Sequence, residues 1–225
     1  MRMSVVIPAL NEGHAINRAL GSVAAAPDVE AIVVDGGRDS GTLEEAGRFG
    51  ARVMFTAPGR AVQMNAGARA ATGSVLLFLH ADTVLPEGYD RLIRRALSTS
   101  PDTVAGAFSL KIDSPDPRLR MIEGLANWRS RAFSMPYGDQ AIFVRADAFF
   151  SVGGFPVMPI MEDFELMRRL GGAGSIAHVT EPVLTSARRW EDFGFYRTTL
   201  INQAIIIGCM AGVPPDKIVK WARSG

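Results

Sequence analysis

Short apolar runs alternate with helical patterns through the first half of the chain. Val5-Val6-Ile7 is a strand candidate, and Ile16, Leu20 and Val23 then recur at helical spacing. Ala31 to Val34 predicts a second strand, closed by the turn signal Asp35-Gly36-Gly37. Thr42 and Glu45 have capping-box spacing for the next helix. Arg52 to Phe55 reads as a third strand and residues 60–71 as an alanine-rich helix. Val75 to Leu79 is continuously apolar, as a strand covered on both faces should be. Pro86 marks the start of a helix carrying Leu92, Ile93, Ala96 and Leu97. The order βαβαβαβ predicts an α/β fold, Rossmann-like, with a mostly parallel central sheet and helices on both faces.

The second half is less regular. Val104 to Leu110 predicts a strand, Leu119 to Phe133 a helix, and Ala141 to Val144 a short strand. Gly153-Gly154-Phe155-Pro156 is a loop. A helix over Glu162 to Leu170 precedes the glycines at 171, 172 and 174, and one long helix covers Glu191 to Met210. With no repeat and no linker rich in Pro, Gly or Ser, the expectation is one domain over 1–225. Within it, residues 1–100, 101–190 and 191–225 form two halves and a helical tail.

Size, charge and cysteine use narrow the class. A chain of 225 residues with 48% hydrophobic residues can bury one well-developed α/β core. The 24 basic and 23 acidic residues nearly cancel, which argues against a nucleic-acid partner. Cys209 is the only cysteine, so a reducing compartment is the natural reading. The first apolar stretch is too short for a secretory signal, and no run is long enough to span a bilayer. The expected location is cytoplasmic, with peripheral contact at the inner face of the membrane as an extension of it. The apolar segment Ala204 to Val213 is either a core helix, a membrane-surface helix or a dimer face.

Sheets of this kind bind ligands beyond the carboxyl ends of their strands. The polar residues there are Asn11 and Glu12, Asp35, and His80 and Asp82. His80 and Asp82 would share one side of an extended backbone. One carboxylate can hold Mg²⁺ or Mn²⁺ while a ligand's phosphates complete the shell; the alternative is a turn in which Asp82 accepts from nearby amides. In Met161-Glu162-Asp163-Phe164-Glu165, either carboxylate of the Glu-Asp pair can serve as a base, or the acids simply favour a helix N-terminus. Arg188, Arg189 and Trp190 suit either phosphate contacts or a solvated helix start with a buried indole. Arg60, Gln63 and Asn65 form either a phosphate-facing loop and helix or an ordinary capped helix.

Taken in order, these segments resemble family 2 glycosyltransferases of the GT-A fold, and in particular a short single-domain bacterial branch. The resemblance rests on Val5 to Glu12, Val33 to Gly37, Gly59 to Gly67, Phe78 to Asp82, Gly138-Asp139-Gln140, Gly153 to Pro156 and Met161 to Asp163. It implies that Pro8, Ala9 and Glu12 bind a nucleoside, that Asp35 contacts its base, and that His80-Ala81-Asp82 stands where the family has Asp-x-Asp. Asp82 then inherits the metal and diphosphate role, with Mn²⁺ or Mg²⁺ as cofactor; His80 departs from the usual first acid. Asp163 maps to the catalytic base and Glu162 to its neighbour on the acceptor side. Arg189 and Trp190 match the end of a Gln-x-x-Arg-Trp motif in which Ser186 replaces the glutamine, so single addition is expected over polymerisation. Arg38, Asp39 and Ser40 depart from the common Asp-Gly-x-Ser-x-Asp-Gly-Thr.

The implied activity is inverting, metal-assisted transfer from a nucleoside diphosphate sugar to an acceptor hydroxyl, the acceptor being unidentified and lipid-linked in one version. The alternative is a catalytically degenerate member that binds nucleotide sugar or acts as a scaffold. A nucleotidyltransferase would need a Gly- and Lys-containing loop where Asn11-Glu12-Gly13-His14 stands, and a dinucleotide fold would need Gly-x-Gly-x-x-Gly there.

Overall fold

The computed structural model describes residues 1–10, 12–37, 40–215 and 217–218. Asn11 and the Arg38-Asp39 turn, both singled out by sequence, lie outside the described residues, as does the end of the 191–225 segment. Eight strands form one sheet. They are β1 (Met3–Ala9), β2 (Val29–Asp35), β3 (Arg52–Phe55), β4 (Val75–Phe78), β5 (Thr83–Val84), β6 (Thr103–Asp113), β7 (Phe143–Arg145) and β8 (Ser175–Ser186), in the spatial order β3-β2-β1-β4-β7-β6-β8-β5. The helices are α1 (Ile16–Ala24), α2 (Ser40–Arg48), α3 (Arg60–Ala70), α4 (Tyr89–Ser98), α5 (Pro117–Phe133), α6 (Ala146–Ser151), α7 (Glu162–Ala173), α8 (Arg188–Phe193) and α9 (Phe195–Met210).

The first half follows the periodicity. β3, β2, β1 and β4 are mutually parallel and joined by helical crossovers. Their residues divide between two cores. Met3, Val5 and Ile7 meet α1 and α4 through Ile16, Leu20, Tyr89 and Ile93, whereas Val6, Ile32 and Val34 meet α3, α6 and α7 on the opposite face. Burial on both faces explains why β1 and β4 read as unbroken apolar runs. α3 lies close on the sheet because position 67 is glycine: a Cβ there would stand 2.4 Å from Val6 and 3.0 Å from Val34.

The second half turns the sheet into a mixed one. β7 runs antiparallel to both β4 and β6, β8 is parallel to β6, and β5 is antiparallel to β8. The expected mostly parallel order therefore describes the β3-to-β4 side. β8 was not legible in the sequence. Pro182 interrupts its pattern, and the register slips between Phe108 and Ser109, so that Val179 and then Pro182 are the successive partners. Such a bulge is where a sheet tolerates proline.

Several boundaries differ from expectation. α2 begins at Ser40, which puts Thr42 and Glu45 inside the helix, both buried, instead of at a capping box. α4 begins at Tyr89, after Gly88 in the left-handed region, with Pro86 in the preceding turn. α7 continues through Gly171 and Gly172 to Ala173, with Gly174 as its C-cap. The last long helix is two: Gly194, at φ 81°, breaks it between α8 and α9.

α9 is neither a core helix nor a detached one. Ile201, Ile205 and Cys209 pack on Met161, Ile160, Phe164 and Tyr137, and its outer side faces solvent. Among the described residues no helix is long and apolar enough to cross a membrane.

Candidate functional site

The carboxyl ends of β1, β2 and β4 come together with the start of α3, as the topology requires. Pro8, Ala9 and Glu12 form one wall of a cleft of about 340 Å³; Gly59, Arg60 and Gln63 form another, and His80, Ala81 and Asp82 close it. Beyond β4 the backbone leaves the extended conformation: Thr83 N–H donates to His80 C=O, making a turn in which Ala81 is buried and His80 and Asp82 are partly exposed. The same-side expectation from strand alternation does not apply there, yet both side chains line the cleft. Burial, with Arg60 nearby, pushes the His80 imidazole down to about 3, so it is neutral near pH 7.

A second cavity of about 300 Å³ adjoins the first and shares Arg60, His80 and Asp82 with it. Of these two spaces only the second is lined by Asp163 and Asp139. Much of its lining is apolar, including Leu110, Ile122, Leu125, Ile160, Ile205 and Ile206. Two spaces therefore meet at one charged boundary. One is bounded by the nucleotide-side residues of the sequence reading, the other by its carboxylates.

The Glu162-Asp163 pair enters this boundary because Met161 adopts φ 66° and starts α7 abruptly. A non-glycine residue there costs about 1–2 kcal/mol, a kind of strain that concentrates at functional sites. Asp163 is buried, and its two oxygens accept from the N–H groups of Gly138 (2.6 Å) and Phe164 (2.8 Å). Position 138 must be small, since a Cβ would stand 2.9 Å from His80 Nε2 and 3.2 Å from Asp163 Oδ2. Glu162 is buried too and accepts from Arg60 Nε at 2.6 Å. Burial opposes the Arg60 charge, but Glu162, Asp163 and Asp139 around it raise its pKa overall.

The remaining predicted residues differ in what they reach. Gln63 is buried and donates to Ala9 C=O (2.7 Å) and Val34 C=O (2.8 Å), bracing the ends of β1 and β2. Asn65 exchanges hydrogen bonds with the Phe155 backbone and so pins the Gly153-to-Pro156 loop against α3. Asp35 is fully buried and accepts from Gly37 N–H at 2.7 Å. Arg188 pairs with Glu12 at 3.3 Å, joining two elements distant in sequence. Arg189 and Trp190 line the second cavity; burial and the nearby Arg60 lower the Arg189 pKa, and the Trp190 indole N–H is buried without a hydrogen-bond partner.

Asp139 is the residue the sequence reading left unassigned. It sits in the turn Gly138–Gln140, lines the second cavity and has a buried Oδ1 with no hydrogen-bond partner. Burial, then the charge of Asp163, pushes its carboxyl up to about 6. Tyr137 beside it lies under the Arg129 guanidinium, 3.7 Å from ring centroid to Cζ, and burial pushes its phenol up to about 12. Sequence places both in the loop Ser134 to Asp139, expected to frame the acceptor side.

Among the described residues no three His, Cys, Asp or Glu side chains cluster to hold a metal. One carboxylate beside a neutral imidazole, at the edge of a cleft, fits instead a cation whose other ligands are phosphate oxygens and water.

The α/β sheet with this paired crevice is of the GT-A type. The chain belongs to glycosyl transferase family 2, whose profile matches residues 4–157. It is similar to the mannosyltransferase PcManGT from Pyrobaculum calidifontis in complex with GDP-Man and Mn²⁺, at 21% identity and TM-score 0.69 over 91% of this chain and 61% of that one. It is also similar to S. aureus TarS 1-349 in complex with UDP-GlcNAc, at 16% identity and TM-score 0.67 over 84% of this chain and 59% of that one. A mycobacterial protein matches at 20% identity and TM-score 0.62, over 89% of this chain and 74% of that one. The chain thus spans about three fifths of the first two. No curated protein sequence matches.

Proposed function

We propose that the chain is an inverting glycosyltransferase that moves a sugar from a nucleoside diphosphate sugar to an acceptor hydroxyl with the help of a divalent cation. The observation that carries this reading is the pair of cavities sharing Arg60, His80 and Asp82, with Asp163 on the second alone. In this reading the nucleotide lies along Pro8, Ala9 and Glu12, with Asp35 at the end of β2 as the contact to its base. Asp82, with His80 beside it, would hold Mn²⁺ or Mg²⁺, which supplies charge neutralisation to the departing diphosphate.

Chain residues account for the rest. The acceptor lies in the second cavity, and its hydroxyl oxygen attacks the anomeric carbon. The bond from that carbon to the phosphate oxygen breaks, and the diphosphate leaves with the electron pair. Asp163 takes the hydroxyl proton. Its hydrogen bonds from Gly138 and Phe164 fix its orientation and leave other lone pairs for that proton. Arg60, held by Glu162, and Arg189 bring positive charge to the boundary where charge develops. A single displacement inverts the anomeric centre.

The test is Asp163→Asn. Transfer is expected to fall by about 10³-fold or more, the upper part of the range for losing a positioned base, while calorimetric donor binding stays near wild type. A variant that transfers at close to the wild-type rate would remove Asp163 from its role. A wild type that binds donor but transfers to no acceptor would favour a binding subunit.

A further inference from the structure

The second cavity is lined by two kinds of residue: Arg60, Asp82 and Asp163, and aliphatic side chains from α5, α9 and the loop before α7. Leu125 belongs to both the cavity and the outer surface, where it is more than half exposed. It sits in a stripe on α5 formed by Met121, Leu125 and Trp128, each more than half exposed, with Trp128 packed edge-on against Phe133, while Leu119, Glu123, Ala126 and Ser130 face inward. α9 repeats the arrangement: Tyr196, Leu200 and Ile207 are more than half exposed at helical spacing, and Ile205 and Ile206 line the cavity. A soluble helix needs one apolar face; these two carry a second, and both contribute residues to the same cavity.

The two helices are neighbours at their first turns. The Arg118 guanidinium lies 4.8 Å from the Phe195 ring centroid and 6.0 Å from that of Tyr196. Their unpaired charge is positive: Arg118 pairs with Asp116 and Arg120 with Glu123, which leaves Arg129 and Arg131 on α5, and Arg197 is the only charged residue of α9. α8 between them is balanced, with Arg188 and Arg189 against Glu191 and Asp192. Exposed aliphatic and aromatic side chains with arginines, on helices too short or too polar to cross, match a bilayer interface carrying negative charge. Trp128 and Tyr196 are the residue types that settle at headgroup level.

We propose that α5 and α9 form a docking face for an anionic lipid bilayer, and that the acceptor is an amphiphile of that bilayer, whose hydroxyl reaches Asp163 while its apolar part leaves past Leu125 and Ile206. The acceptor half rests on the transferase reading; the docking half does not.

The experiment is vesicle flotation of the whole chain, with neutral phosphatidylcholine vesicles compared with vesicles containing phosphatidylglycerol, at low and high salt. Wild type is expected to float with the anionic vesicles, at least about tenfold better than with neutral ones at low salt. The double variant Trp128→Glu, Leu200→Glu is expected to lose about tenfold or more of that binding, with an unchanged circular dichroism spectrum. No flotation of wild type, or equal flotation of the variant, overturns the docking face. So does light scattering that finds a wild-type dimer which the variant makes monomeric, because the stripes then cover each other. Donor binding measured alongside reports separately on the transferase reading.

Discussion

Asp139 supplies a prediction whose sign is unusual for a carboxylate. Its pKa rises from the ordinary 3.8 to about 6, burial being the main cause and Asp163 the second. The native state therefore holds this proton more tightly than the unfolded chain. That favourable contribution is complete below pH 3.8 and is lost as pH rises through about 6. Near pH 7 the ionised group costs the fold up to about 3 kcal/mol, at about 1.4 kcal/mol per tenfold change in proton affinity. Partial exposure of the residue brings the expectation to about 1–3 kcal/mol. Asp139→Asn has nearly the same shape and does not titrate. It should raise the melting temperature near pH 7.5 by about 2–12 °C for a chain of this length, with the gain shrinking toward pH 4. Denaturation followed across that pH range measures it. A variant less stable than wild type near pH 7.5, or a gain that does not change with pH, refutes the assignment of strain to this carboxyl.

Asp82→Ala should abolish the dependence of donor binding on Mn²⁺ or Mg²⁺, measured by calorimetry with and without chelator. Arg60→Met should destabilise by about 3 kcal/mol, because it strands the buried Glu162 carboxylate; adding Glu162→Gln should recover most of that loss in urea titrations. Gln63→Leu should cost about 1–3 kcal/mol by removing the hydrogen bonds to the Ala9 and Val34 carbonyls, the former keeping its donor at Gly36.

Much of the site was legible because its residues occupy positions that local pattern defines. Pro8, Ala9 and Glu12, then His80, Ala81 and Asp82, follow apolar runs, and strands buried on both faces in a parallel arrangement end where ligands bind. Arg60 to Asn65 and Glu162-Asp163 open helices, which sequence also marks. What sequence could not supply was which side chains face each other. Arg60 and Glu162 are far apart along the chain and form one ion pair. Gln63 and Asn65 point into backbone, because α3 lies against the sheet at Gly67. Asp139 acquires its perturbation only from burial beside Asp163, and no periodicity carries that.

The sequence alone therefore determined the parallel half of the sheet and the family, and it named candidate residues that the fold gathers around one crevice, since these depend on hydrophobic period and short motifs. Tertiary structure decided the mixed order of the other half, where the Pro182 bulge hides β8 from any alternation pattern. It divided the last helix at Gly194, whose positive φ only the packing of α8 and α9 reveals as a break. It also decided that α5 and α9 border one cavity. That is a relation between helix faces, and a helical period records which residues share a face but not what the face meets.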